Sequence, residues 1–221
     1  LGAAVIDLDG TLVDTLGDFV AALNLMLRDL ALPAVDRPVV EHLVGKGSEH
    51  LIRGVLAQAG WSAERLAAPD GYERAWQAYQ QHYRRINGRH SEVYPGATEG
   101  LHQLRARGLK LACLTNKPTE FAVSLLQAKG LDGYFGVVFG GDAFARKKPD
   151  PMPLLKTCEA LGSLPAHTLM VGDSSNDAQA ARAAGCPVVL VSYGYNHGRP
   201  VQEAQADAYV DRLDQLAALL G

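Results

Sequence analysis

The 221-residue sequence predicts an α/β protein: a doubly wound, Rossmann-like parallel sheet with an all-helical block inserted near its start. Three observations carry this expectation. Short apolar runs alternate with helical patterns from about residue 94 to the end. One further apolar run, Ala3–Asp7, stands apart at the N-terminus. Residues 16–93 between them carry helical periodicity and no convincing strand.

Taken in order, the predicted strands are Ala3–Asp7, Leu109–Thr115, Val137–Phe139, Thr168–Gly172, Pro187–Val191 and a short Ala208–Val210. Strands this apolar are expected to be covered on both faces, as in a parallel sheet. The helical patterns between them are Thr98–Arg107, Thr119–Lys129, Met152–Leu161, Asp177–Ala184 and Gln215–Leu220. Gly108, Gly130, Gly162 and Gly185 fall where four of these helices should stop. Inside the inserted block, Leu16–Leu30, Arg37–Leu43, Glu49–Ala59 and Ala63–Ile86 read as helices. Pro33, Pro38, Gly60 and the Ala67–Gly71 region punctuate them. The apolar stretch Leu23–Leu27 is assigned to the core of that block. Residues 1–15 and 94–221 are expected to form one domain and residues 16–93 another. The crossings near Thr15–Gly17 and Glu92–Gly96 would be hinges, with Gly17, Pro95 and Gly96 setting the bends.

Composition narrows the function. Apolar residues make up 48% and charged residues 20%, an ordinary globular balance. A net charge of −3 gives no electrostatic reason to expect nucleic acid or an anionic membrane as partner. No stretch reaches the ~20 apolar residues of a membrane helix, and Leu1 opens no secretory leader. Cys113, Cys158 and Cys186 form no CxxC pair and read as small core residues, so a cytoplasmic location is expected. The seven histidines make no zinc signature. No phosphate-binding P-loop occurs, and Gly45-Lys46-Gly47 lacks the third glycine of a dinucleotide fingerprint.

Chemistry concentrates at the ends of the apolar runs. Val5-Ile6-Asp7-Leu8-Asp9-Gly10-Thr11 places two carboxylates two positions apart where a strand meets a glycine turn. Side chains alternate along a strand, so Asp7 and Asp9 leave it on the same side. The carboxyl end of a parallel strand is where such sheets bind ligands. Two acids so close need a cation between them, or one of them protonated. Leu109–Leu114 then leads into Thr115-Asn116-Lys117-Pro118, and Val137–Gly141 into Arg146-Lys147-Lys148-Pro149-Asp150-Pro151. Thr168–Val171 leads into Gly172-Asp173-Ser174-Ser175-Asn176-Asp177.

Acids, a hydroxyl, a lysine, then acids, in that order at strand ends, resemble the motif set of the haloacid dehalogenase superfamily. The resemblance is to its phosphatase branch and spans nearly the whole chain. It implies that the helical block is a small cap closing over the site. It also places a nucleophile at Asp7, which would carry the phosphoryl group as an aspartyl-phosphate. Asp9 would act as general acid to the leaving oxygen and then as general base for water. Mg²⁺ is the implied cofactor, held by Asp7, the Asp9 backbone carbonyl and Asp173. Asp177 would hold a metal-bound water or orient Asp173. Thr115 and the Asn116 backbone are substrate-binding candidates, with Gly10 and Thr11 of the glycine turn. Lys148 would neutralise the transition state and is preferred to Lys147 because it directly precedes Pro149, as in similar family members. Lys117 is placed in solvent or at the mouth of the site. Carbon–halogen hydrolases of the superfamily usually lack the second acid, so Asp9 favours phosphate chemistry.

Within that branch the chain is similar to bacterial phosphoglycolate phosphatases, through its opening Asp7–Asp14 segment, Leu114–Pro118, the Gly140–Pro151 run and Val44–Gly47. This implies 2-phosphoglycolate as substrate and a cation in the cap for its carboxylate. Lys46 is the candidate, with Arg37 and Arg53 behind it. Phosphatases of nucleotides, pyrophosphate or sugar phosphates, a sugar phosphomutase, and a phosphate-binding protein without turnover remain alternatives. The partner is expected to be a small phosphorylated metabolite, and the chain a monomer or homodimer.

Overall fold

A computed structural model describes residues 1–220, Pro69 by its backbone only. Six parallel strands form the central sheet: β1 (Ala3–Ile6), β4 (Lys110–Leu114), β5 (Val137–Phe139), β6 (Thr168–Gly172), β7 (Val188–Val191) and β8 (Ala208–Val210). Their order across the sheet is β5-β4-β1-β6-β7-β8, the doubly wound arrangement. All four residues of β1 are fully buried, between β4 in the register Val5–Ala112 and β6 in the register Val5–Met170. An apolar strand so placed adds about 1.5–3 kcal/mol for each large side chain it buries. The chain steps outward in opposite directions from β1, so the gap between the ends of β1 and β6 is the switch point where such sheets bind ligands.

Helices α6 (Ala97–Ala106), α7 (Thr119–Ala128), α8 (Met152–Leu161), α9 (Ser175–Ala184) and α10 (Leu216–Leu219) follow the expected alternation to within two residues at each end. Gly162 and Gly185 end α8 and α9 in the left-handed conformation, at φ 61° and 77°. Two apolar clusters cover the sheet, one around Ile6, Leu101 and Leu125, the other around Val5, Leu154 and Met170.

The inserted block comprises α1 (Leu16–Asp29), α2 (Arg37–Leu43), α3 (Ser48–Gln58), α4 (Ala63–Ala67) and α5 (Pro69–Ile86). It has its own apolar core, built on Leu23, Met26, Leu27, Ile52, Leu56 and Tyr79. The single helix expected over Ala63–Ile86 is two, because Ala68 ahead of Pro69 is held extended at ψ 123°. A two-stranded antiparallel ribbon, β2 (Val13–Asp14) with β3 (Glu92–Val93), joins the outgoing and returning crossings. Strands of two residues leave no periodicity to read.

Gly17 is not a bend. It lies in the first turn of α1, where a Cβ would meet the His90 carbonyl oxygen at 2.2 Å. Its size lets the two crossings touch. The buried Asp18 carboxylate clamps the same contact, accepting the Gly88 and His90 N–H groups at 2.8 and 2.7 Å.

Candidate active site

β1 delivers Asp7 to the switch point, where its N–H still pairs with the Val171 carbonyl at the end of β6. β6 delivers Asp173 to the same place, and the first turn of α9 adds Asp177. All three are buried, and one carboxylate oxygen from each lies within 4.8 Å of the others. Asp173 fits because it is flanked by glycines. A Cβ on Gly10, at φ 84°, would strike its Oδ2 at 2.2 Å, and one on Gly194 its Cβ at 2.1 Å.

Lys148 stands at the centre of the acids. Its Nζ is 2.9 Å from Asp7 Oδ1, 2.7 Å from Asp177 Oδ1 and 2.8 Å from the Leu114 carbonyl, so all three of its donors have oxygen neighbours. Lys147 is exposed. Burial alone would lower the Lys148 pKa, but Asp177 and Asp7 outweigh it and hold the ammonium above its usual range. Burial pushes the Asp7 carboxyl up to about 7, with Asp177 adding to the effect and Lys148 opposing it. Asp173 is raised well above the usual carboxylate range by burial and then by Asp177 and Asp7.

Asp177 has little freedom left. Oδ1 takes Lys148, while Oδ2 accepts from the Ser174 hydroxyl at 2.9 Å and from the Ser174 and Asp173 N–H groups at 3.2 and 3.3 Å. Asp177 thus has two tasks: it completes the capping box of α9 with Ser174, and it fixes Lys148.

Asp9 is partly buried, and Lys117 Nζ at 2.8 Å and the Thr15 hydroxyl at 2.7 Å both end on its Oδ1. Lys117 was expected in solvent or at the site mouth. It is instead 5% exposed, with its ammonium over the rings of Phe19 (4.4 Å) and Tyr83 (5.1 Å) from the inserted block. An aromatic cage and a carboxylate hold it inside. Thr115 is buried and lines the same cavity, as does Asn116, whose side chain has a structural task the sequence did not suggest. Its amide bridges the Lys148 backbone, donating to O at 2.8 Å and accepting from N at 3.1 Å, and donates to the Gly45 carbonyl at 2.9 Å.

Gly10 reaches the site, as its contact with Asp173 shows, and Thr11 is buried beside it in the turn. Lys46 does not reach it. The backbones of Gly45 and Gly47 face the cavity, so the side chain between them is left exposed outside. Arg37 and Arg53 are engaged elsewhere, by Asp14 at 3.0 Å and Glu49 at 2.9 Å. Two further residues escaped the sequence reading. Asn176 donates to the Gly45 carbonyl at 3.2 Å. Tyr195 gives its N–H to Asp173 Oδ2 and its hydroxyl to Asp14 Oδ1, both at 2.7 Å, linking the acids to the first crossing.

The sequence model of haloacid dehalogenase-like hydrolases matches residues 4–191. The chain belongs to this family. Relatives that are similar over almost the full length bear the name phosphoglycolate phosphatase. One from Thiobacillus denitrificans is 44% identical over 220 residues, covering 99% of this chain and 95% of its own. A plasmid-borne one from Cupriavidus necator is 46% identical over 218 residues, covering 99% and 92%. Among solved structures, one described as a predicted phosphoglycolate phosphatase from Haemophilus somnus 129PT superposes with a TM-score of 0.95. It is 33% identical and covers 100% of this chain and 98% of its own.

The acids of this haloacid dehalogenase-like hydrolase suit a metal. Asp7, Asp9, Asp173 and Asp177 against Lys117 and Lys148 leave a formal charge of −2 in a nearly solvent-free site. Carboxylates buried in that excess are costly without a further cation. The donors are all hard oxygens, the set that suits a divalent ion such as magnesium.

Proposed function

We propose that the chain is a Mg²⁺-dependent phosphate monoester hydrolase of the cytoplasm acting on 2-phosphoglycolate, with residues 1–15 and 94–221 as catalytic core and 16–93 as its cap. The observation that supports it most is the convergence of Asp7, Asp173 and Lys148 at the switch point, with Asp9 anchored beside them. The names of the full-length relatives support the substrate.

Asp7 attacks phosphorus with one carboxylate oxygen, and the bond to the ester oxygen breaks. Asp9 has both of its hydrogen bonds on Oδ1, which leaves Oδ2 to protonate the departing glycolate oxygen. The same oxygen then takes a proton from the water that attacks phosphorus and restores Asp7. Lys148 holds positive charge against Asp7 and the transferring group, while Asp177 keeps Lys148 in place. Asp7, Asp173 and the Asp9 carbonyl would hold the ion, whose charge would offset the repulsion between the carboxylate and the phosphoryl oxygens. Asp177, with both oxygens occupied, acts on the site through Lys148 and the Asp173 backbone.

The cavity at these residues is narrow, about 30 Å³, and walled by both the sheet ends and the inserted block. A cap motion that widens it to admit an ester must flex the two crossings that the ribbon of β2 and β3 joins.

A panel of phosphate esters assayed at fixed magnesium tests the reading. Glycolate and phosphate should be released from 2-phosphoglycolate with the highest kcat/KM, with no isomerised product, and a chelator should abolish turnover until magnesium is restored. A nucleotide, pyrophosphate or sugar phosphate turned over faster would replace the substrate. Full activity in chelator would remove the metal.

A further inference from the structure

Two buried lysines face the same cavity, and their surroundings differ in a way the chemistry above does not use. Lys148 has an oxygen neighbour for each of its three donors. Among the described residues Lys117 has one, Asp9 Oδ1; its other close neighbours are the faces of Phe19 and Tyr83. An ammonium with two donors unfilled is an unusual thing to bury. The Tyr83 hydroxyl belongs to the same wall: the residue is 1% exposed, lines the cavity, and its oxygen has no hydrogen-bond partner among the described residues.

We propose that Lys117, with the Tyr83 hydroxyl, is the subsite for an anionic group carried by the leaving alcohol, specifically a carboxylate one carbon from the ester oxygen. This rests on the hydrolase reading and on a phosphorylated hydroxy acid as its substrate. The placement follows from chain length. Asp9 must reach the ester oxygen to protonate it, and Lys117 lies one hydrogen bond beyond Asp9. In a glycolate ester the carboxylate carbon is two bonds from that same oxygen, so binding at Asp9 carries the carboxylate to Nζ. The aromatic faces hold the ammonium there while leaving its donors available, where a second carboxylate would have taken them. Selectivity thus comes from a core lysine caged by cap aromatics. The exposed Lys46 takes no part.

The test compares 2-phosphoglycolate with ethylene glycol monophosphate, in which a hydroxymethyl group replaces the carboxylate. Both are assayed with wild type, Lys117→Gln and Lys117→Met. The glutamine variant keeps a donor for Asp9 and so guards against a misfolded methionine variant. The wild type should prefer the carboxylate ester by about 100-fold, and both variants should bring the ratio to within about threefold of one. Slowing of both esters together, with the preference kept, would overturn the proposal and leave Lys117 as a support for Asp9 alone. A wild type without preference would refute the substrate reading itself, and this subsite with it.

Discussion

The strand ends and the helical block form opposite walls of one cavity, yet they do different work with different materials. On the sheet side, three acids and two lysines come from strand ends and the loops beyond them, and a fourth acid, Asp177, from the first turn of α9. On the helical side the wall is apolar and aromatic (Phe19, Val44, Leu51, Tyr83), with glycine backbone at Gly45 and Gly47. The charges sit on the layer that the sheet holds in register, whereas the helical layer contributes apolar surface that shapes the space. Where they meet, the contacts are individually modest: two asparagine donors to the Gly45 carbonyl and an aromatic cage around Lys117.

That division predicts a steep gradient of effects across the cavity. Asp7→Asn, on the sheet side, should lower kcat by about 10⁴-fold or more in a steady-state assay, because an amide cannot take the phosphoryl group as the proposed carboxylate nucleophile does. Lys148→Met should cost about 10³-fold in kcat. It should also lower Tm, since Asp7 and Asp177 lose their shared counter-ion in a buried site. At the seam, Asn176→Ala removes one of the two donors to Gly45, about 1 kcal/mol, and should change kcat/KM by about fivefold or less. On the outer face of the block, Lys46→Ala should leave kcat/KM within about twofold, as exposed substitutions usually do. A Lys46 effect as large as that of Lys148 would erase the contrast between the walls.

The same contrast governed what could be read in advance. Asp7, Asp173 and Thr115 stand at strand ends, and a strand's period and its carboxyl-end rule say where such side chains go; Lys148, in the loop beyond β5, was read from its place before Pro149 in the family motif. The doubly wound sheet was legible for the same reason; the errors lay at element ends, at the break at Ala68, at Gly17 and in the unread ribbon of β2 and β3. Lys117 was misplaced because its partners are remote: Asp9 lies 108 positions away, and the aromatic faces belong to α1 and α5. Tyr195 bonds Asp14 across 181 positions, and no local pattern announces that. Lys46 shows a subtler fault. Its flanking glycines line the cavity, and the side chain between them is exposed, an outcome that the identity of Lys46 alone does not reveal.

The central claim is that Asp7 itself carries the phosphoryl group. Single-turnover reaction of the magnesium-loaded enzyme with 2-phosphoglycolate, quenched into borohydride and mapped by mass spectrometry, tests it directly. Reduction of an acyl phosphate should convert residue 7, and no other acid, to homoserine. Modification at Asp9 or Asp173 instead, or turnover at the wild-type rate by Asp7→Ala, would contradict it.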